Sequence, residues 1–211
     1  MKILVTGASG LIGRHLIRHL RKDGHEVAAL VRSPENFFEC PRKQIFIWNS
    51  SLPPPLEALR NAEAVVNLAG ESIAKLPWTS QQIAKIRSSR IEATKTLVKS
   101  IETLAPVERP KVLLNASAIG FYGDAGEETC TETSPPGRGF LAELCKEWES
   151  EALKAESCGL RVVLLRTGMV LSKDGGAWEK MAPVSFGSGQ QWQSWIHIED
   201  LVRLISFEIG R

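Results

Sequence analysis

The sequence has very little tyrosine, no cysteine pairing motif, no net charge to speak of and no long apolar run. Its four cysteines, Cys40, Cys130, Cys145 and Cys158, never form a C-x-x-C pair, and no histidine lies near them in sequence. That spacing argues against a zinc site or a dithiol redox motif and makes reduced thiols the expectation. Twenty-six Lys and Arg against 24 Asp and Glu give a formal charge of +2. With no electrostatic excess, a nucleic acid or a membrane surface is not the expected partner, and a small molecule is. The apolar stretch from Ile3 to Ile12 is interrupted by Gly and Ser and has no basic leader before it. It therefore fits neither a signal peptide nor a membrane span, and a cytoplasmic protein is expected.

What is present is ordinary for a globular chain. Hydrophobic residues make up 43% and charged residues 24% of 211 residues, which suits one domain, or one and a fragment, at roughly 100–200 residues per domain. Two full domains are not expected. Met1 to Thr6 reads as a buried strand, Gly7 breaks it, and Leu11, Ile12, Leu16, Ile17 and Leu20 recur at helical spacing up to Gly24. Glu26 to Val31 is a second strand, which closes a βαβ unit in about thirty residues. Further strands are expected at Ile45 to Trp48, Ala64 to Leu68, Val112 to Ala116 and Val162 to Arg166. A long helix should begin at a T-S-Q-Q cap on Thr79 and end by Pro106, with others near Leu141 to Ala155 and Leu201 to Ile209. The alternation predicts an α/β Rossmann fold, a doubly wound parallel sheet of six or seven strands with helices on both faces. The regular pattern stops after Met169, so we expect residues 1–168 to form the nucleotide-binding domain. Residues 169–211 should be a small, partial substrate-binding segment that returns to that core.

Gly7, Gly10 and Gly13 stand at intervals of three between the first strand and the first helix. Such a loop turns sharply, lets backbone N–H groups approach a pyrophosphate and lets the helix sit close to the sheet. The helix N-terminus then faces the phosphate charge. At the end of the second strand, where a carboxylate would accept from a ribose 2′-OH, the residue is Arg32. A guanidinium there pairs with a 2′-phosphate, which favours NADP over NAD; the alternative is a solvated strand-end charge.

The motifs T-G-A-S-G-L-I-G (Thr6 to Gly13), N-L-A-G (Asn67 to Gly70), S-R-I-E-A-T (Ser89 to Thr94) and S-A-I-G-F-Y-G (Ser117 to Gly123) continue through R-T-G-M-V-L (Arg166 to Leu171) and S-W-I-H-I-E-D-L (Ser194 to Leu201). In this order they resemble the short-chain dehydrogenase/reductase superfamily, extended type, and most of all its atypical epimerase family proteins. The resemblance implies that Gly7, Ser9, Gly10, Leu11 and Ile12 lie along the cofactor pyrophosphate. It places Val31 and Arg32 beside the adenosine ribose, and Leu68 and Ala69 over that half of the cofactor. Arg90 is expected to reach the phosphates, or else to be a charge on the helix surface.

Superfamily catalysis ordinarily uses a Ser, a Tyr and a Lys four residues after the Tyr, the Lys binding the nicotinamide ribose and lowering the Tyr pKa. Lys146 reads as that Lys, but Ala142 stands four residues before it. The single tyrosine, Tyr122, is followed four residues later by Gly126. Two readings follow. Ser117 and Tyr122 supply the acid chemistry from another direction, making an NADP-dependent oxidoreductase or epimerase-like enzyme for a small polar substrate; or the chain is a non-catalytic NADP-binding sensor or scaffold. Ser117 also has a simpler reading as a strand-end cap.

Other signals point to structure. His15 and His19 read as solvated positions on the first helix, and His197 as an organiser of a loop. Trp178, Trp192 and Trp195 fall where extended members build the substrate pocket. The stretch from Pro183 to Gly187 reads as shorter than the family's glycine-rich loop, and the sequence stops at Arg211 where relatives continue, so an incompletely represented pocket is expected.

Overall fold

The structure is a computed structural model that describes residues 1–176 and 192–211. Trp178 and the stretch from Pro183 to Gly187 lie outside the described residues. Six strands form one parallel sheet: β1 (Lys2–Thr6), β2 (Glu26–Val31), β3 (Ile45–Ile47), β4 (Ala64–Asn67), β5 (Val112–Ala118) and β6 (Arg161–Thr167). Their spatial order is β3-β2-β1-β4-β5-β6. Between β1 and β4 the order of winding reverses, and at such a switch point an open α/β sheet leaves a crevice beyond its strand ends. The expected doubly wound Rossmann sheet is the observed one.

Apolar alternation along each strand supplies both faces. Ile3 and Val5 of β1, Val66 of β4 and Leu114 of β5 pack with Leu16, Ile17 and Leu20 of α1 (Leu11–Lys22). Leu201, Val202 and Ile205 of α5 (Ile198–Gly210) join the same cluster. Leu4, Val65 and Leu113 point the other way, onto Ala58 and Leu59 of α2 (Leu56–Leu59) and onto Leu97, Val98 and Ile101 of α3 (Ser80–Glu102). Both faces are thus dry, as a parallel sheet requires.

Helix ends follow local chemistry. Thr79 accepts a hydrogen bond from the Gln82 backbone N–H at 3.2 Å and starts α3. Helix α1 carries His19, Arg21 and Lys22 in its last turn, where cations oppose the negative end of the helix dipole. Helix α4 (Phe140–Leu153) packs against α3 and β5.

Past the main sheet, β7 (Met169–Leu171) and β8 (Trp195–His197) pair in parallel as a separate two-stranded unit. His197 then caps α5, its Nδ1 accepting from the Glu199 backbone N–H at 3.3 Å. Among the described residues no helix is long and apolar enough to cross a membrane.

Two expectations are corrected. Strand β5 runs on to Ala118, because β6 continues to pair with it as far as Ala118 opposite Thr167, so Ser117 lies within a strand. His15 is not a solvated position: only 14% of its side chain is exposed, with Nε2 3.0 Å from Asp174 and Nδ1 3.8 Å from Glu199. The cause is α5, which packs across α1 and carries the turn after β7 with it.

Candidate functional site

A trench runs along the ends of β1, β4 and β5, and its floor is backbone. Gly7 adopts φ +61°, and a Cβ there would run into the Leu68 carbonyl. A Cβ on Gly13 would lie 2.5 Å from the Gly7 carbonyl oxygen, so only glycine lets α1 approach the β1 turn this closely. Gly10 is the N-cap of α1, with no side-chain cap and no acidic residue in the first turn. The opening N–H groups of the helix, with the positive end of its dipole, are therefore offered to an anion in the trench.

The wall formed by Leu68 and Ala69 is held by a buried network of polar side chains. Thr6 Oγ1 accepts from the N–H groups of Leu68 and Ala69, both at 3.1 Å, and donates to Asn67 Oδ1 at 2.6 Å. Asn67 Nδ2 donates to Asn115 Oδ1 at 2.6 Å and to Thr94 Oγ1 at 2.9 Å, and the Trp148 indole donates to the same hydroxyl. Buried polar groups tied in this way fix the loop because none can leave without stranding another. Sequence reasoning passed over Thr6, Asn67, Thr94 and Asn115. For Thr6, Asn67 and Asn115 the available signal was a polar residue closing or interrupting an apolar strand; Thr94 lies within α3 and carried no such signal.

At one end, Val31, Arg32, Trp48, Ser50 and Glu71 line a cleft of about 250 Å³. Arg32 is mostly exposed, with Nη1 3.7 Å from the Glu71 carboxylate. Glu71 was not foreseen. The hydrogen bond from Lys75, with Arg32 nearby, holds its carboxyl below the ordinary carboxylate value.

At the other end, a cavity of about 870 Å³ shares Gly7, Gly10, Leu68, Ala69 and Gly70 with that cleft and continues past Leu11, Ile12 and Arg90. The Arg90 side chain turns inward: its guanidinium lies 5.3 Å from the Trp148 ring centroid and beside Gly70, and burial lowers its pKa. The alternative of a helix-surface charge does not hold.

Of the two candidate acid residues, Ser117 lines this cavity, and its hydroxyl donates to Glu149 Oε1 at 2.6 Å. Glu149 is buried and takes a two-pronged hydrogen bond from Arg166, at 2.9 and 2.8 Å. The Arg166 guanidinium stacks 3.5 Å from the Phe121 ring centroid and donates to the Tyr122 phenol at 3.0 Å. The hydrogen bond to Glu149 raises the Arg166 pKa, so the cation is permanent. Tyr122 is not among the described residues that line the cavity.

Lys146 lies on the exposed side of α4, while Leu141, Leu144, Cys145 and Trp148 meet the cavity. Each helical residue turns the side chain by about 100°, so a position one residue past Cys145 faces away. Two pairs four apart meet the cavity, Leu141 with Cys145 and Leu144 with Trp148, and burial raises the Cys145 pKa. Trp192 also lines the cavity, its indole donating to Glu127 at 3.1 Å, and both Trp192 and Trp195 are largely exposed.

Comparison with known proteins extends this picture. The model of the NAD dependent epimerase/dehydratase family matches residues 3–210. An Arabidopsis thaliana protein described as an epimerase family protein, SDR39U1 homolog, chloroplastic, is 43% identical over 97% of this chain and 61% of its own length. The crystal structure of a nucleoside-diphosphate sugar epimerase from Corynebacterium glutamicum has a TM-score of 0.84 and 36% identity, covering 99% of this chain and 43% of that one. The human epimerase family protein SDR39U1 (isoform 2), solved with NADPH, has a TM-score of 0.81 and 28% identity over 99% of this chain and 71% of that one. This chain thus spans about three-fifths of the Arabidopsis relative. With the glycine floor, the switch-point trench and a family match along almost its whole length, the chain belongs to the NAD dependent epimerase/dehydratase family, within the extended short-chain dehydrogenase/reductase superfamily.

Proposed function

We propose that this chain binds NADP(H) along the trench and presents it to a small molecule in the larger cavity. The observation that carries the reading is the uncapped start of α1 in one trench, with Arg32 and the glycines lining a cleft on one side and the larger cavity opening on the other. Gly7, Ser9, Gly10, Leu11 and Ile12 take the pyrophosphate, Arg90 neutralises it from α3, and Leu68 and Ala69 cover it. Val31 and Arg32 hold the adenosine ribose, Arg32 swinging from Glu71 to a 2′-phosphate. The NADPH bound to the human relative supports this choice. We assign residues 1–168 to cofactor binding and 169–211 to the cavity rim and the returning helix. Lys146, on the exposed side of α4, is left out of the cofactor site.

Such a cofactor would supply the chemistry of hydride transfer. The chain's own contribution is to exclude water with Ile12, Leu68 and Met169 and to place Ser117 against the ligand. The reading is tested by titrating the protein with NADPH and NADH at fixed salt, then following transfer of deuterium from labelled NADPH to a panel of carbonyl compounds. Tighter NADPH binding with transfer supports a catalyst. A second reading, an NADP-occupied module without turnover, is favoured by Leu141 and Cys145 on the α4 face, and bound NADPH with no transfer to any carbonyl would establish it.

A further inference from the structure

We infer that Glu71 is a specificity-determining residue: its carboxylate stands in for the 2′-phosphate at Arg32, so that the adenosine cleft takes NAD(H) as well as NADP(H), NADP(H) the more tightly. The inference rests on the cofactor reading above and goes beyond it by naming the residue that sets how far the two cofactors differ.

Glu71 stands just past the end of β4 and lines the same cleft as Arg32, Gly10 and Ser89. Its backbone is tied to α3. The Glu71 N–H donates to Ser89 Oγ at 2.9 Å, and that hydroxyl donates to the Ile86 carbonyl at 3.0 Å. The side chain is only 14% exposed, whereas that of Arg32, directly after β2, is 80% exposed. One carboxylate oxygen, Oε1, accepts from Lys75 Nζ at 2.5 Å, and the other, Oε2, lies 3.7 Å from Arg32 Nη1. A pinned anion thus faces a long cation that is free to turn. Lys75, Arg32 and Lys85 together keep the carboxyl ionised at neutral pH.

An ionised carboxylate can only accept hydrogen bonds, and a guanidinium can only donate them. The two therefore suit opposite states of the ribose 2′-oxygen. With NADP(H), Arg32 turns to the 2′-phosphate while Glu71 keeps Lys75. The phosphate and the carboxylate then lie near one another, and their repulsion takes back part of what Arg32 gives. With NAD(H), the 2′-hydroxyl has a proton to give, Glu71 accepts it, and Arg32 stays with the carboxylate. Each cofactor finds a partner of the right kind, and Arg32 has an anion beside it in both complexes. Because Arg32 is solvated, both effects are screened and amount to several-fold changes in affinity.

The test titrates the full chain with NADPH and NADH at neutral pH and fixed salt, for the parent, Glu71→Gln and Glu71→Ala. The pair 2′,5′-ADP and 5′-AMP, which differ only in the 2′-phosphate, repeats the comparison without the nicotinamide half. The readout is the ratio of the NADH to the NADPH dissociation constant within one preparation, so any loss of folded protein cancels. The parent should bind both cofactors, NADPH the more tightly. Both variants should raise the ratio by about fivefold or more, the gap between a hydrogen bond to a charged group and one to a neutral group. A ratio that stays level or falls in both variants overturns the inference, as does a parent that binds NADPH and shows no NADH binding. Failure of the parent to bind either dinucleotide overturns the cofactor reading instead, and the ratio for 5′-AMP and 2′,5′-ADP then decides the role of Glu71 by itself.

Discussion

The two ends of the trench are built from different materials. The glycine end is backbone: Gly7 and Gly13 are there because no side chain fits, and the first N–H groups of α1 have no side-chain cap. The α4 end is side chains, and its polar ones are spent on one another, Ser117 on Glu149 and Glu149 on Arg166. A backbone site survives drift of its surroundings as long as its glycines remain. Leu141 and Cys145 of α4 line the cavity beside Ser117.

The contrast predicts that changes at the α4 end damage the fold before they damage cofactor binding, and changes at the glycine end the reverse. The largest effect should come from Glu149→Ala, which strands a mostly buried guanidinium and should cost ~3–5 kcal/mol in urea unfolding. NADPH affinity of the folded fraction should change little, and a large loss of NADPH affinity at full stability would erase the distinction. Arg32→Asp should do the opposite, weakening NADPH by ~1.5–3 kcal/mol in a titration while unfolding stays within ~0.5 kcal/mol of the parent. Equal NADPH and NADH affinity in the unmodified protein would remove Arg32 from cofactor choice.

Tyr122→Phe comes next. The phenol accepts from Arg166 and does not line the cavity among the described residues. Its loss should cost ~1 kcal/mol of stability and leave any hydride transfer within about threefold. A loss of ~100-fold in transfer at unchanged stability would restore the acid role suggested by the sequence.

The smallest expected effect is the pH dependence at the Arg32 end. The Glu71 carboxyl is held below its ordinary value of 4.5, first by Lys75, so the folded state prefers it ionised. Its contribution to stability is fully present above the unfolded value and fades as pH falls through the lower folded value. Glu71→Gln should therefore be less stable than the parent at neutral pH and equal to it at the acid end. A deficit independent of pH would show that the side chain acts by packing.

The glycine end was legible because its causes are local. Three glycines between an apolar strand and an amphipathic helix carry the turn, the helix start and the phosphate site within seven residues. The α4 end was not, because its causes are pairings across the sheet. Glu149 reads in sequence as one of several acidic residues on a helix, and only contact with Ser117 of β5 and Arg166 of β6 makes it a buried anchor. Lys146 was expected at the cofactor for a related reason: spacing measured from motifs does not say which side of a helix meets the sheet, and Lys146 lies on the exposed side of α4.

By itself the sequence determined the order of the six strands of the main sheet and of the longer helices, and the backbone cradle at Gly7 to Gly13. Periodicity and glycine conformation act over a few residues, so they need no knowledge of the rest of the chain. The tertiary structure alone decided which polar side chains are spent and which remain free to meet a ligand. That depends on partners 17 to 61 residues away, as between Glu149 and Arg166 or Thr6 and Asn67. In a low-dielectric interior such a side chain must find its partner wherever the fold brings one, whatever its distance along the chain.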